Sequence, residues 1–546
     1  MSDRVSRRMK GFTMPLFAQS PASSRKRITR RHTLILPVLA AAGGALAGCE
    51  IRKAHSAKGS GSNSARPPRT GSTGTDARAT GTHGGVVLET AWEGKALSVE
   101  VGPAVVKEKH TVVPLTISTI SEEKISMERP FSTLFDPYSM SMIQMLSLDQ
   151  GLAFRQLNQS TEGLVDGVRK GKPLKLFAVF AATEDGVKTV EMFLPSMGVV
   201  TNVPVIKDAD PGFKVDEALA GANLDSDAPG PVRIETATIS ADGSADTKKD
   251  EKSTTVTVSG DVTFAADSDQ LSAQANSVLS NVVEQIKRYP SGGQMLVVGH
   301  TDDVQDDAYN QGLSERRAQA VATRLKALTD LSKWKQSVSG KGESAPRVSN
   351  DSDEHRQINR RVEITLTPSK PDEAHTAGTI PSAAPSAGVT QTLGPTGKGS
   401  EGVDVTIDDK KVHLSIDHVV RVGKYLAGTV LLKADQDVTV KPGVFSLPYK
   451  LQGLRWPSLV HGVYNFTLLS GGTRYLEADH ASRDGDRIPI ANNVVNDIKA
   501  GEAMRLPAVW PDTGQDTVTL DLPQGGNSNP APPLNTRLTD IPVTDA

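Results

Sequence analysis

The sequence predicts a multidomain chain in which a central α+β domain lies between two predominantly β, sandwich-like domains. Three observations predict it. The chain has 546 residues, more than one hydrophobic core organises. Three stretches rich in Gly, Ser, Thr, Ala, Pro and charge, residues 49–83, 207–252 and 369–402, bury too little to offset the entropy of ordering and read as linkers. Between them, long helical periodicity is confined to 253–368, whereas 84–206 and 403–546 carry short or alternating apolar runs.

Residues 1–48 come first. Arg25, Lys26, Arg27, Arg30 and Arg31 precede a short apolar stretch that Pro37 interrupts, and small residues follow. This is the layout of a signal peptide with an N-terminal extension. The stretch falls short of the ~20 residues a membrane-spanning helix needs. Leu46, Ala47, Gly48 and Cys49 resemble the bacterial lipobox. That resemblance implies cleavage before Cys49 and a diacylglycerol thioether on its sulfur, with 49–83 as a flexible tether between membrane and domains. Arg30 and Arg31 also bear a weaker likeness to a twin-arginine export signal. The implied location is the cell envelope, facing the wall.

Cys49 is the only cysteine, so no intrachain disulfide and no cysteine-based zinc site can form. With 61 basic and 63 acidic residues the net charge is -2, and no electrostatic bias points to nucleic acid. In 84–206, Leu97, Val99 and Val101 alternate with polar residues; in 403–546, Val412, Leu414 and Ile416 do the same. A local repeat sets 176–180, the turn 184–186 and 190–195 beside 506–510, 512–514 and 518–523, as if one fold were used twice. Neither β domain carries a catalytic triad order, a metal-ligand cluster or a phosphate loop, and its function is not readable from the sequence, ligand or protein contact being the usual use of such folds.

The central pattern reads strand (256–264), helix (271–287), strand (294–299), helix (307–328), a short strand near Ser337, and strand (361–366), a βαβαββ order. Leu271, Ala275, Val278, Leu279, Val282 and Ile286 form one helical stripe, and Ala318, Val321, Leu325 and Leu328 another. Arg317 stands four residues after Leu313 and four before Val321, on the inward side of its helix. Arg316, turned by about 100°, faces solvent. Asn310, seven residues before Arg317, shares its face.

Gly299-His300-Thr301-Asp302, Tyr309-Asn310, Leu313-Ser314, Arg316-Arg317-Ala318, Gly340 to Glu343 with Pro346, and Asn359-Arg360-Arg361 carry a family resemblance. This segment, about a fifth of the chain, resembles the OmpA-like peptidoglycan-binding domain of the OmpA C-terminal and peptidoglycan-associated lipoprotein type. One position departs: Gln305 stands where the family usually has Gly. The resemblance implies that Asp302 meets the ammonium and Arg317 the carboxylate of a diaminopimelate-type stem peptide, with Asn310, Thr301 and Asp267 completing the pocket. Read singly, Asp302 also fits an Asx-turn, and Arg317 a stem laid over the core and paired with Asp306 or Asp307. His300 has no nucleophile or metal cluster beside it and reads as structural.

The function expected is a non-catalytic envelope lipoprotein that holds peptidoglycan and needs no cofactor or metal. Its partners are the wall, the membrane through its lipid, and proteins met by the β domains. The alternative is a cell-wall-active enzyme with the central domain as targeting module; it lacks an acid/base or nucleophile constellation.

Overall fold

The computed structural model describes residues 78–79, 84–132, 140–158, 163–207, 211–222, 224, 230–240, 242–250, 252–265, 267–371, 394–441, 443–445, 462–481, 487–491, 497–523 and 534–546. The export segment, Cys49 and most of the tether lie outside them. The described chain is rich in strands and poor in helices.

In the first β region, Val86–Trp92, Lys95–Val101, His110–Ser118 and Leu174–Ala181 form an antiparallel run. Ala104–Lys107 pairs with His110–Ser118 and, in parallel, with Gly198–Lys207. From there the ladder continues through Thr189–Leu194 and Gln144–Ser147 to Leu152–Arg155.

The last β region repeats this connectivity. Val403–Ile407, Lys410–Ser415, Tyr425–Ala434 and Ala503–Pro511 form the antiparallel run. Val419–Val422 bridges Tyr425–Ala434 to a parallel partner, Thr536–Asp545, and the ladder passes through Thr517–Leu522 and Thr467–Ser470 to Thr473–Tyr475. Register agrees residue for residue: Leu88, Val99, Val105 and Val112 stand where Val403, Leu414, Val420 and Ala427 stand. The sequence match of 176–180 with 506–510 and of 190–194 with 518–522 falls on equivalent strands in this register.

Backbone irregularities repeat as well. The first hairpin turns on Glu93 and Gly94 (φ 49° and 69°), its counterpart on Asp408 and Asp409 (φ 53° and 58°). Two left-handed residues in a two-residue loop match the twist of the paired strands. A register shift between Val200 and Val203 recurs in the strand Thr536–Asp545, with Asn202 (φ 57°) and Asp540 (φ 55°) at the same place. Asn and Asp accept the left-handed region better than other residues with a Cβ.

The central domain lays its strands in the order Ala245–Lys249, Thr254–Ser259, Arg361–Pro368, Gly293–His300, Trp334–Gly340, antiparallel except for the last pair. Helices Ala275–Lys287 and Asp307–Leu328 pack on the face bearing Val256, Val258, Met295, Val297, Val362 and Ile364. Most of both sequence stripes is buried here; the exceptions are Leu271, half-buried ahead of its helix, and Leu328, at 36% exposure on the last turn. The expected strand 256–264 ends at Ser259 and becomes the helical turn Gly260–Thr263, and the expected helix from 271 begins at Ala275. A further helix, Asp353–Asn359, is capped by Ser352, whose hydroxyl accepts from His355 N at 3.2 Å.

The segment 207–252 is not a structureless linker. It holds the helix Val215–Gly221, which packs Ala218 and Leu219 beside Val112 and Val179, and two strands, Val232–Ser240 and Ala245–Lys249. Val232–Ser240 pairs with Ala245–Lys249 and also with Leu152–Arg155 of the first repeat and with Asp479–Ala481 and Thr473–Tyr475 of the second. Leu146, Leu148, Phe193 and Val199 of the first repeat join Leu426, Phe466, Ile490 and Val509 of the second in one core. Residues 394–402, also expected as linker, include the strand Thr396–Lys398 against Thr536–Asp545.

Within the first repeat, Glu191 is 2% exposed and accepts from Leu148 N at 2.9 Å. Burial, with Asp149 adding to it, pushes its carboxyl up to about 8 from 4.5. A folded-state value above the unfolded one means the stability contribution is complete below about pH 4.5 and is lost as pH rises through 8. Glu191→Gln, which keeps the acceptor, is therefore expected to gain thermal stability over wild type progressively from pH 5 to pH 8. Paired melts across that range check it.

Candidate functional site

The site forms where the strand Gly293–His300 ends and the helix Asp307–Leu328 begins. Two glycines bring these elements together. Gly299 and Gly340 are register partners, and a Cβ on either would lie 2.0 Å from Ser314 O or 2.2 Å from Ser314 Oγ. Only a bare backbone lets the helix come this close. The approach sets Asn310 and Arg317 of the helix against Thr301 and Asp302 at the strand end. Asp306 starts the helix by accepting from Tyr309 N at 2.9 Å.

Arg317 is 6% exposed, as its helical position predicted. It pairs with neither Asp306 nor Asp307. Its Nε donates to Ser268 O at 2.9 Å, and its guanidinium carbon lies 5.2 Å from the centroid of the Phe264 ring. No described residue accepts from its terminal nitrogens. Burial lowers its pKa, while the charges of Asp261, Asp267 and Asp302 oppose that shift. A buried guanidinium whose two terminal nitrogens have no acceptor among the described residues can donate to an anion. Arg316, by contrast, reaches Asp269 at 3.3 Å from the exposed side.

Asp302 is held from behind. Arg360 Nη1 donates to its Oδ2 at 2.6 Å, while the rest of the Arg360 fork grips Asp261 through two bonds of 2.7 Å. These carboxylates, Asp261 first, raise the Arg360 pKa. Val304 N donates to Asp302 Oδ1 at 3.4 Å, so the Asx-turn geometry is also present. Sequence reasoning missed Asp261 and the grip of Arg360.

Thr301 is 2% exposed and its Oγ1 has no hydrogen-bond partner among the described residues, although its N donates to Gly342 O at 3.0 Å. The hydroxyls of Thr183, Thr263 and Thr429 share this state, so it leaves Thr301 Oγ1 open to a ligand or water without singling it out. Asn310, 1% exposed, spends its amide hydrogens on Asp302 O (3.1 Å), Gln305 O (2.9 Å) and Glu343 Oε2 (2.6 Å). It thereby closes the loop at Gln305, where the family usually has Gly, and its Oδ1 is the atom left for a ligand. Asp267 is exposed, left-handed (φ 48°) and within electrostatic reach of Arg317.

His300 is 4% exposed and stands 3.8 Å from Glu363. Burial, reinforced by the charge of Arg361, pushes its pKa down to about 4. Arg361 binds Glu363 at 2.8 Å, and Asn359 pins Arg347 N and Val348 N at 2.7 and 3.1 Å. These residues tie the last strand to the loop that follows Trp334–Gly340.

Residues 263–360 match the OmpA family, and the chain carries an OmpA family domain there. Over 111 residues it is 40% identical to outer membrane porin F of Pseudomonas aeruginosa, covering 20% of this chain and 31% of that protein. Over 120 residues it is 36% identical to outer membrane protein A of Escherichia fergusonii, 20% of this chain and 49% of that one. The match thus spans between about a third and a half of these relatives. Among solved structures, the cell wall anchor of the T6SS from Pseudomonas aeruginosa aligns at 32% identity over 23% of this chain and 88% of that one, with a TM-score of 0.21. The peptidoglycan-associated lipoprotein from Burkholderia pseudomallei aligns at 23% identity over 21% and 91%, with a TM-score of 0.18.

Because the site depends on the close approach at Gly299, Gly299→Ala is expected to cost about 1–3 kcal/mol of stability by overpacking against the Ser314 backbone. Denaturant unfolding measures it. A neutral result would show that the helix is free to shift.

Proposed function

We propose that this chain is a non-catalytic cell-envelope lipoprotein that binds the diaminopimelate-type stem peptide of peptidoglycan through Arg317, Asp302, Thr301, Asn310 and Asp267. In this reading it is exported, lipidated at Cys49, and ties the membrane, with the two β repeats it displays, to the wall. The observation that carries the reading is the buried Arg317, whose terminal donors are open beside the Asp302 carboxylate. A diamino acid presents an ammonium and a carboxylate at its side-chain end, and the two protein charges meet them in opposite sense. A ligand lacking the carboxylate leaves the buried Arg317 unmet, and one lacking the ammonium forgoes the contact to Asp302, which is how such a site discriminates. The names of the relatives, outer-membrane proteins and a cell wall anchor, agree with a place in the envelope.

The test is sedimentation of the full chain, freed of its export segment, with insoluble peptidoglycan. Wild type is expected in the pellet; Asp302→Ala and Arg317→Ala, each checked for folding, are expected in the supernatant, each losing about 2–4 kcal/mol of binding for an unmatched buried charge. Wild type remaining soluble would refute wall binding. Pelleting of both variants would place it elsewhere on the chain.

A further inference from the structure

We infer that Asp246, on a strand outside the matched family segment, is a positioning residue for the pocket and acts through Arg347. The inference rests on the peptidoglycan reading of that pocket. Ala245–Lys249 adds a strand to the central sheet, between Thr254–Ser259 and Val232–Ser240, and Asp246 lies beside Thr257, which in turn lies beside Glu363. Neighbours in register share a face, so Asp246 is on the side of the sheet away from the two helices. The loop 341–352 crosses that side.

Arg347, in this loop, grips Asp246 with both terminal nitrogens, Nη1 to Oδ2 at 2.8 Å and Nη2 to Oδ1 at 3.4 Å. The two side chains are only 15% and 16% exposed, so the fork is screened little by solvent. The loop's other end belongs to the pocket. Glu343 accepts from Asn310 Nδ2, Gly342 O accepts from Thr301 N, and Gly342 N donates to Ser314 Oγ at 2.9 Å. Only Ser344, Ala345 and Pro346 separate Glu343 from Arg347. Proline fixes φ, and Ala345 O is held by Arg361 Nη2 at 3.2 Å, so this span is short and stiff. Displacing Arg347 therefore displaces Glu343, and with it the Asn310 amide that closes the Asp302 loop.

A simpler role, fastening the strand Ala245–Lys249 to the domain, would leave the pocket indifferent to the pair. The two roles separate by experiment on the full chain. Asp246→Asn and Arg347→Gln are each expected to weaken binding of a soluble diaminopimelate-containing stem tripeptide about tenfold, and the double variant no more than either alone. The exchanged pair, Asp246→Arg with Arg347→Asp, is expected to recover most of that loss. Without any ligand, amide exchange at Thr301 and Gly342 is expected to quicken in both single variants. Folded single variants with wild-type affinity and unchanged exchange at these amides would overturn the inference. If wild type itself does not bind the tripeptide, the peptidoglycan reading fails, and the exchange at Thr301 and Gly342 still decides whether Asp246 positions the pocket.

Discussion

Everything described in this chain is arranged around the backbone ladder of one strand, Val232–Ser240. It continues the central sheet through Ala245–Lys249 and meets the edge strands Leu152–Arg155 and Thr473–Tyr475 of the two repeats. Those two edge strands are equivalent in the duplicated fold, so the repeats present the same edge to the same strand. Its side chains are mostly half-buried, and its backbone groups are satisfied by pairing along these ladders. A shared core through Leu146, Phe193, Leu426 and Val509 covers the junction. The two repeats are thus joined to each other by ladders and a core, and to the central domain by ladders, in addition to the chain that connects them.

At the smaller scale, the pocket depends on what is missing from Gly299 and Gly340. Their bare backbones admit the helix Asp307–Leu328 to contact distance, and the charges follow from that placement. Arg317 is desolvated on the inner face, Asp302 is steadied by Arg360, and Asn310 is consumed in shaping the loop between them. Under the proposed function, such preorganisation holds the two charges ready for a ligand that carries both signs.

The inward placement of Arg317, on one face with Asn310, was legible in the sequence because helical periodicity is local, whereas Asp302, Thr301 and Asp267 came from the family resemblance. The four-residue spacing of Leu313, Arg317 and Val321 was enough to turn Arg317 inward, and 176–180 matched 506–510 because equivalent strands bury equivalent residues. What escaped is what depends on distant pairing. Asp261 and Asp302 meet on Arg360 from 99 and 58 residues away, a contact no window reveals. Val232–Ser240 hides among Gly, Asp and Ser, and its stability comes from partners on its edges more than from its own propensity. The helix Asp353–Asn359 did leave a signal, Ser352 followed by two acidic residues, a start pattern that is easily passed over in so short an element.

The most direct test of the account is a crystal structure of the full chain with a diaminopimelate-containing stem tripeptide. The account predicts the ligand's side-chain carboxylate on the terminal nitrogens of Arg317 and its ammonium at Asp302, with Thr301 Oγ1 satisfied. A tripeptide bound elsewhere, with Arg317 still open, would contradict it.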